Sequence, residues 1–157
     1  MKRSLTLLTI LFLLIHSKVY FAQIPSTNSL IKKLDNRQFT ILHTEKASFS
    51  MNSKPAIQLI KRGTSISQKL ISALNDTTKT IMAHLVLCHI YFKVATFAGP
   101  KIVMQNDKEI FKYFLGQKDG EGLIISEMKE ANTHKMYLEE KDRAAIITYW
   151  KDKTSKK

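Results

Sequence analysis

One segment of this chain is apolar on nearly every side of the helix that it predicts. Asp76 can cap the N-terminus of a helix over about residues 77–93. One side of this helix carries, at helical spacing, Ile81, Leu85, Cys88 and Phe92. Its flanks carry Met82, Val86, His89 and Ile90. A helix that is apolar on so many sides is buried. We therefore expect the rest of the chain to surround it.

The residues before this helix predict shorter elements. Ser29 can cap a short helix, residues 38–44 favour a strand, and the polar residues 45–53 favour a loop. Pro55 and Gly63 bound a helix of about two turns, because proline suits a first helical turn and glycine a C-terminal cap. A further helix, capped by Thr64 or Ser65, presents an apolar face made of Ile66, Leu70, Ile71 and Leu74.

The pattern changes at Gly99-Pro100, which we interpret as the end of the helical half. Short β-branched and aromatic segments follow, and they predict strands at residues 102–104, 109–115, 123–128 and 135–138. A hairpin connection is predicted for residues 116–122, and a last helix for residues 139–150, with Trp150 on its buried face. Period-2 alternation puts Phe111 and Tyr113 on one face of the sheet and Phe114 on the other.

These elements predict a single α+β domain over residues 23–150. Its N-terminal half is helical and is followed by a small antiparallel sheet and a C-terminal helix. Residues 151–157 are expected to be a basic flexible tail.

Residues 1–22 are typical of a signal peptide. Lys2 and Arg3 precede an apolar run of 11 residues at 5–15, which is too short to span a bilayer. Ala22 suits the position before a cleavage site, although Tyr20 does not suit the third position before it. Cleavage after Ala22 predicts a periplasmic or extracellular protein with no transmembrane segment after processing. The alternative is an uncleaved anchor, although the apolar run is interrupted by a histidine and a lysine.

The mature chain is strongly basic. Removing residues 1–22 lowers the formal net charge from +12 to +9, and residues 23–74 carry eight Lys or Arg against two acids. A protein of this charge can bind an anionic polymer or a membrane surface. The candidate contacts for such a surface are Lys32, Lys33, Arg37, Lys54, Lys61, Arg62 and Lys69. Nucleic acid is a less suitable partner, because the basic positions are not interleaved with aromatic ones.

The stretch at residues 55–90 resembles one unit of the HEAT-type helical repeats. The resemblance rests on Leu70-Ile71 and Ala73-Leu74 at the end of one helix, Asn75-Asp76 at the turn, and apolar positions that open the next helix. It covers about 36 residues, and no second copy follows, whereas a solenoid needs at least about three units. The chain as a whole is similar in organisation to small exported bacterial proteins. The HEAT-type resemblance implies a protein-binding surface.

Side chains that could carry chemistry have simpler interpretations. His84 and Cys88 stand four residues apart, which is suitable spacing for two metal ligands or a Cys–His pair, but a buried thiol beside a hydrogen-bonded histidine explains them. Lys118 lies in a glycine-rich turn that lacks the ending of a phosphate-binding loop. Glu139, Glu140 and Asp142 suit the N-terminus of the last helix.

We therefore assign no catalytic residue, cofactor or metal ligand from the sequence. The leading expectation is a non-catalytic exported module that binds another envelope or secreted protein, as an adaptor or immunity protein does. The alternative is binding of an anionic polymer or membrane surface through the basic residues of the first half. A small hydrolase is a third and more distant alternative.

Overall fold

The computed structural model describes residues 25–116, 121–130 and 133–155. The predicted signal peptide and Lys118 lie outside the described residues. The described α-helices are α1 (Thr27–Lys32), α2 (Lys54–Lys61), α3 (Ser67–Ala73), α4 (Thr80–Phe92) and α5 (Glu140–Ser155). Short 3₁₀ helices lie at Asn36–Gln38 and Gly63–Ile66. The strands are β1 (Phe39–Leu42), β2 (Ser48–Met51), β3 (Thr96–Gln105), β4 (Lys108–Gly116), β5 (Gly122–Glu130) and β6 (Thr133–Tyr137). This order confirms the predicted α+β fold.

The apolar helix predicted at the centre of the fold is α4, and ten of its 13 residues are buried. It begins at Thr80 rather than at residue 77, so the prediction that Asp76 caps it is wrong. Asp76 instead closes the preceding turn, because its Oδ1 accepts hydrogen bonds from the amide and the hydroxyl of Thr78. The helix ends at Phe92 and is capped by Lys93, whose φ of 67° places it in the left-handed region.

Two of the other predicted helix caps are also wrong. Ser26, not Ser29, caps α1, and its Oγ accepts a hydrogen bond from the Ser29 amide at 3.2 Å. Neither Thr64 nor Ser65 caps α3, because the 3₁₀ helix at Gly63–Ile66 leads directly into it. For α2 the expected bounds hold, with Pro55 in its first turn and Gly63 just beyond its end.

The polar stretch predicted as a loop contains a strand, because β2 pairs with β1 in an antiparallel hairpin. The apolar residues of this stretch alternate, so that Phe49 and Met51 pack against the core while Ser50 is exposed. The Phe49 ring stacks on Phe39 of β1 at 5.1 Å. This packing explains why a segment with few apolar residues forms a strand.

The larger sheet is antiparallel, with the strand order β3-β4-β5-β6. Its strands confirm the four that the sequence predicted. Gly99-Pro100 does not end the helical half, because β3 begins earlier, at Thr96, and includes this dipeptide where its register with β4 shifts. Proline is tolerated there, since β3 is an edge strand and the shift already interrupts the ladder of hydrogen bonds.

The two faces of this sheet differ in what covers them. The inner face carries Tyr113, Leu115, Leu123 and Ile125, which belong to the same core as the helices. The outer face carries Lys112 and Phe114, as the alternation of residues 111–114 predicted. Helices cover the Leu115 end of the inner face, and the opposite end lies beneath the turn between β1 and β2.

The last helix is longer than predicted. We expected it to end at Trp150 and a flexible tail to follow, but α5 continues to Ser155. Within this extension the Thr154 hydroxyl donates a hydrogen bond to the Trp150 carbonyl at 2.9 Å, and most of its side chains are exposed. Trp150 itself is fully buried. None of the described helices is both long enough and apolar enough to span a membrane.

Candidate functional site

An open cleft lies between the β1–β2 turn and the uncovered end of the inner sheet face. Its volume is about 480 Å³, within the range of about 300–1,000 Å³ that is usual for ligand sites. Leu42 at the end of β1 and Ala47 of the turn form one wall, Pro100 of β3 lies at the edge, and Phe111 of β4 lies opposite. The walls are therefore largely apolar.

Glu127 of β5 is a buried carboxylate that lines this cleft, with 3% of its side chain exposed. The Tyr113 hydroxyl donates a hydrogen bond to its Oε2 at 3.2 Å. The Nε2 atom of His43 lies 3.4 Å from its Oε1. The His43 side chain is 47% exposed, so it reaches the carboxylate from the solvent side. We call these three residues the cleft triad.

Strand register brings the cleft triad together. Phe111 of β4 pairs with Glu127 of β5, and Tyr113 pairs with Ile125. Directly paired residues share a face of the sheet, so Glu127 and Tyr113 both lie on the inner face. His43 follows β1 directly, and the β1–β2 hairpin holds it over that face.

Tyr113 is held in position and kept protonated. Its ring stacks on Phe97 of β3, with centroids 5.5 Å apart and planes 7° apart. Burial, with the charge of Glu127 and the hydrogen bond to it as smaller causes, raises the pKa of Tyr113 to about 12. The phenol therefore remains a hydrogen-bond donor to the carboxylate throughout the physiological range.

The cleft can accept hydrogen bonds and counter a positive charge. A carboxylate, an imidazole and a phenol can also move protons in principle. Thr44 lines the same cleft, but its hydroxyl donates to the Lys46 carbonyl at 2.6 Å and therefore stabilises the turn that contains it.

Among the described residues, no cluster of three or more His, Cys, Asp or Glu is placed to hold a metal ion.

The pair His84 and Cys88 forms a separate, sealed cluster inside the core. His84 is 1% exposed, and its Nδ1 accepts a hydrogen bond from Trp150 Nε1 at 2.9 Å. Its Nε2 donates to the Leu115 carbonyl at 2.7 Å, which assigns the neutral tautomer. Burial lowers the pKa of His84 to about 4 and raises that of Cys88 to about 12.

This geometry confirms the predicted buried thiol beside a hydrogen-bonded histidine. Both ring nitrogens of His84 are engaged, and the Cys88 Sγ lies 3.5 Å from Nε2. A protonated thiol with so high a pKa is a poor nucleophile and a poor metal ligand.

The seven basic candidates differ in their surroundings. Lys32 and Lys69 line a shallow hollow that also contains Asp76. The exposed lysines include Lys33, Lys54 and Lys61. The two arginines bind within the chain: Arg37 pairs with Asp35, and Arg62 donates hydrogen bonds to the Thr27 hydroxyl and the Pro25 carbonyl.

Two of the three acidic residues at the start of α5, Glu139 and Glu140, have side-chain partners. Glu139 accepts from Lys112 at 2.6 Å and lies 2.8 Å from Lys141. The hydrogen bond from Lys112, followed by that from Lys141, lowers its pKa. Glu140 and Asp142 lie in the first helical turn, as predicted. Burial raises the pKa of Asp142.

The sequence patterns did not predict the cleft triad. His43 and Glu127 are 84 positions apart, and only the packing of the hairpin against the sheet brings them together. One signal was present: Glu127 continues the series Leu123, Ile125 on the core-facing side of a predicted strand. A carboxylate in such a register indicates either a buried partner or a site.

Comparisons with protein-family models, curated proteins and solved structures gave no match to this chain. The resemblance of residues 55–90 to a HEAT-type repeat therefore stays a prediction.

Proposed function

We propose that this protein is an exported, non-catalytic binding protein that takes a small ligand into the cleft. The observation that carries the proposal is the buried carboxylate of Glu127 in an open, largely apolar cavity. Burying a carboxylate costs several kcal/mol unless partners compensate it. A hydrophobic side chain at this position would extend the core, so the presence of a carboxylate there favours a role in recognition.

Binding explains the cleft better than catalysis does. The Thr44 hydroxyl is engaged by its own turn rather than by His43. The Tyr113 hydroxyl has a raised pKa and already donates to Glu127. Neither hydroxyl has the activation that a nucleophile needs.

The proposal is tested by filling the cleft. We expect ligands from a mixture of small aromatic and aliphatic compounds to shift the amide resonances of Phe111, Glu127 and the β1–β2 turn. Ala47→Phe places a ring in the cleft and should abolish these shifts. Ala145→Phe, at an exposed position of α5, is the matched control and should retain them. Shifts that survive Ala47→Phe would contradict the proposal.

Protein binding, the leading expectation from the sequence, is a second proposal. It is favoured by the exposed Ile102 and Met104 on the edge strand β3, which are 55% and 66% accessible. The buried helix α4 leaves α2 and α3 as the accessible part of the HEAT-like stretch. Affinity capture with the tagged protein, repeated with Met104→Lys and Ala47→Phe, separates an interface on β3 from one at the cleft.

Export remains the part of the proposal that rests on sequence alone. We expect the intact mass of the protein from its native host to lack residues 1–22. A membrane-bound form that retains them would favour the uncleaved anchor.

A further inference from the structure

The ionisable side chains around the cleft differ in exposure. Glu127 is buried, whereas His43, Glu45 and Lys129 are exposed. The attraction between opposite charges strengthens as water is excluded, so the strongest electrostatic anchor in the cleft is the carboxylate of Glu127. This anchor attracts a cation and repels an anion.

Two aromatic rings lie beside this carboxylate. Phe111 is the direct cross-strand partner of Glu127, and Tyr113 donates a hydrogen bond to it. Both rings line the cleft. The face of an aromatic ring attracts an ammonium group. A carboxylate flanked by aromatic rings therefore complements an ammonium group on an apolar stem.

We infer that the cleft binds a small organic amine, with its ammonium group paired to Glu127 and its apolar body against Phe111 and the β1–β2 turn. The inference rests on the proposed function and names its ligand class. The ammonium group competes with His43 for the Oε1 atom of Glu127, which lies 3.4 Å from His43 Nε2. Because the His43 side chain is 47% exposed, it can turn toward solvent when the amine enters.

Three probes of matched shape and different charge test the ligand class. Phenethylamine, 2-phenylethanol and 3-phenylpropionate are titrated into the ¹⁵N-labelled protein, and the shifts of the cleft amides give the affinities. We expect phenethylamine to bind at least about ten-fold more tightly than the alcohol, since it adds a charge-assisted hydrogen bond. 3-Phenylpropionate should bind most weakly.

A variant of Glu127 tests the anchor itself. Glu127→Gln keeps the shape and removes the charge, so it should reduce phenethylamine affinity to that of 2-phenylethanol and leave the alcohol unchanged within about two-fold. If the amide resonances of the other strands have the same chemical shifts in the variant as in the unmodified protein, the variant is folded. The probe series on the unmodified protein decides the inference if the variant does not fold.

The outcomes separate the two proposals. Equal affinity for amine and alcohol, or a preference for the carboxylate probe, would overturn the amine inference and leave a cleft that binds ligands. No shift at the cleft amides with any of the three probes would overturn both. If a lysine-containing tripeptide binds more tightly than phenethylamine, the ligand is a lysine side chain of a partner protein and not a free amine.

Discussion

The sealed cluster around His84 and the cleft triad around Glu127 each contain a buried titratable side chain, but its partners are wholly buried in the first and partly exposed in the second. Each buries a titratable side chain, with 1% of His84 and 3% of Glu127 exposed. His84 is held by a backbone carbonyl and an indole that are themselves inside the core. Glu127 is held by a buried phenol and by a histidine that is half in solvent.

The difference between the two clusters is whether a partner can be exchanged. His84 cannot lose Trp150 or Leu115 without opening the core, so its hydrogen bonds contribute to stability. Glu127 can exchange His43 for a ligand, because the cleft is open and His43 lies at the solvent side. A buried polar group with only internal partners indicates a structural role, and one that lines a cavity indicates a site.

The largest expected effect is the loss of the His84 hydrogen bonds. His84→Leu leaves the Trp150 indole and the Leu115 carbonyl unpaired in the core, so we expect the free energy of unfolding to fall by about 2–4 kcal/mol. His84→Gln is the matched control, since it retains a donor for the carbonyl and should lose less. Urea denaturation at neutral pH measures both. Equal losses would show that packing, rather than hydrogen bonding, explains the cluster.

The second effect is the pH dependence of stability. In the folded state the pKa of His84 is lowered to about 4 by burial, whereas its ordinary value is 6.5. The unfolded chain therefore binds more protons between these values, and stability falls as the pH drops from about 6.5 to about 4. The loss attributable to His84 is roughly 3 kcal/mol.

Denaturation at several pH values, repeated with His84→Gln, isolates this contribution. Asp35 and Asp76, whose carboxyl pKa values are lowered to about 2, lose their stabilisation at lower pH. Their hydrogen bonds from Arg37 and Lys79 are the largest causes of these shifts. An unchanged slope between pH 4 and 6.5 in the variant would contradict the assignment to His84.

A smaller effect is expected at the cleft. Glu127→Gln keeps an acceptor for the Tyr113 hydroxyl and removes a buried charge, so stability should change by less than about 1 kcal/mol. Tyr113→Phe, which removes the donor and keeps the ring, should be more destabilising than Glu127→Gln. Thermal unfolding of the two variants measures this order. A loss above about 3 kcal/mol in Glu127→Gln would make Glu127 a structural residue like His84.

The smallest effect on stability is expected for charged side chains at the protein surface. Replacing Lys32, Lys33 and Lys69 together by glutamine should change stability by less than about 0.5 kcal/mol. Arg62→Gln is the contrasting variant and should lower the free energy of unfolding by about 1 kcal/mol, because it breaks the hydrogen bonds to Thr27 and Pro25.

We expect retention of the protein on heparin to be weak and to disappear as the salt concentration rises. Retention above about 0.5 M salt that the triple change abolishes would favour the anionic-surface alternative.

The elements that could be predicted from the sequence were those with strong periodicity. The apolar residues of α4 predicted its burial, and the alternation of residues 109–115 and 123–128 predicted the sheet. Helix starts were less predictable, because Ser26 and Asp76 compete with nearby residues of similar chemistry and tertiary packing decides between them. The strand at Ser48–Met51 was missed because only two of its positions are large and apolar.

The sealed cluster could be predicted in part and the cleft triad could not. His84 and Cys88 share one helical face, so local spacing placed them together. Trp150 and Leu115 come from different elements, as do the three residues of the cleft triad, and no local pattern specifies how those elements pack. The role proposed for Glu127 therefore depends on strand register and on the packing of the β1–β2 hairpin against the sheet.

Trp150 has a consequence for the order in which the molecule can fold. It completes the hydrogen bonding of His84 and packs its ring among Tyr91, Phe92 and Tyr149. Until α5 has left the ribosome, the space that Trp150 fills against α4 is empty, and His84 lacks the hydrogen bond from the indole. Cotranslational folding therefore stops short of the native state, and a nascent chain that lacks α5 stays loosely packed.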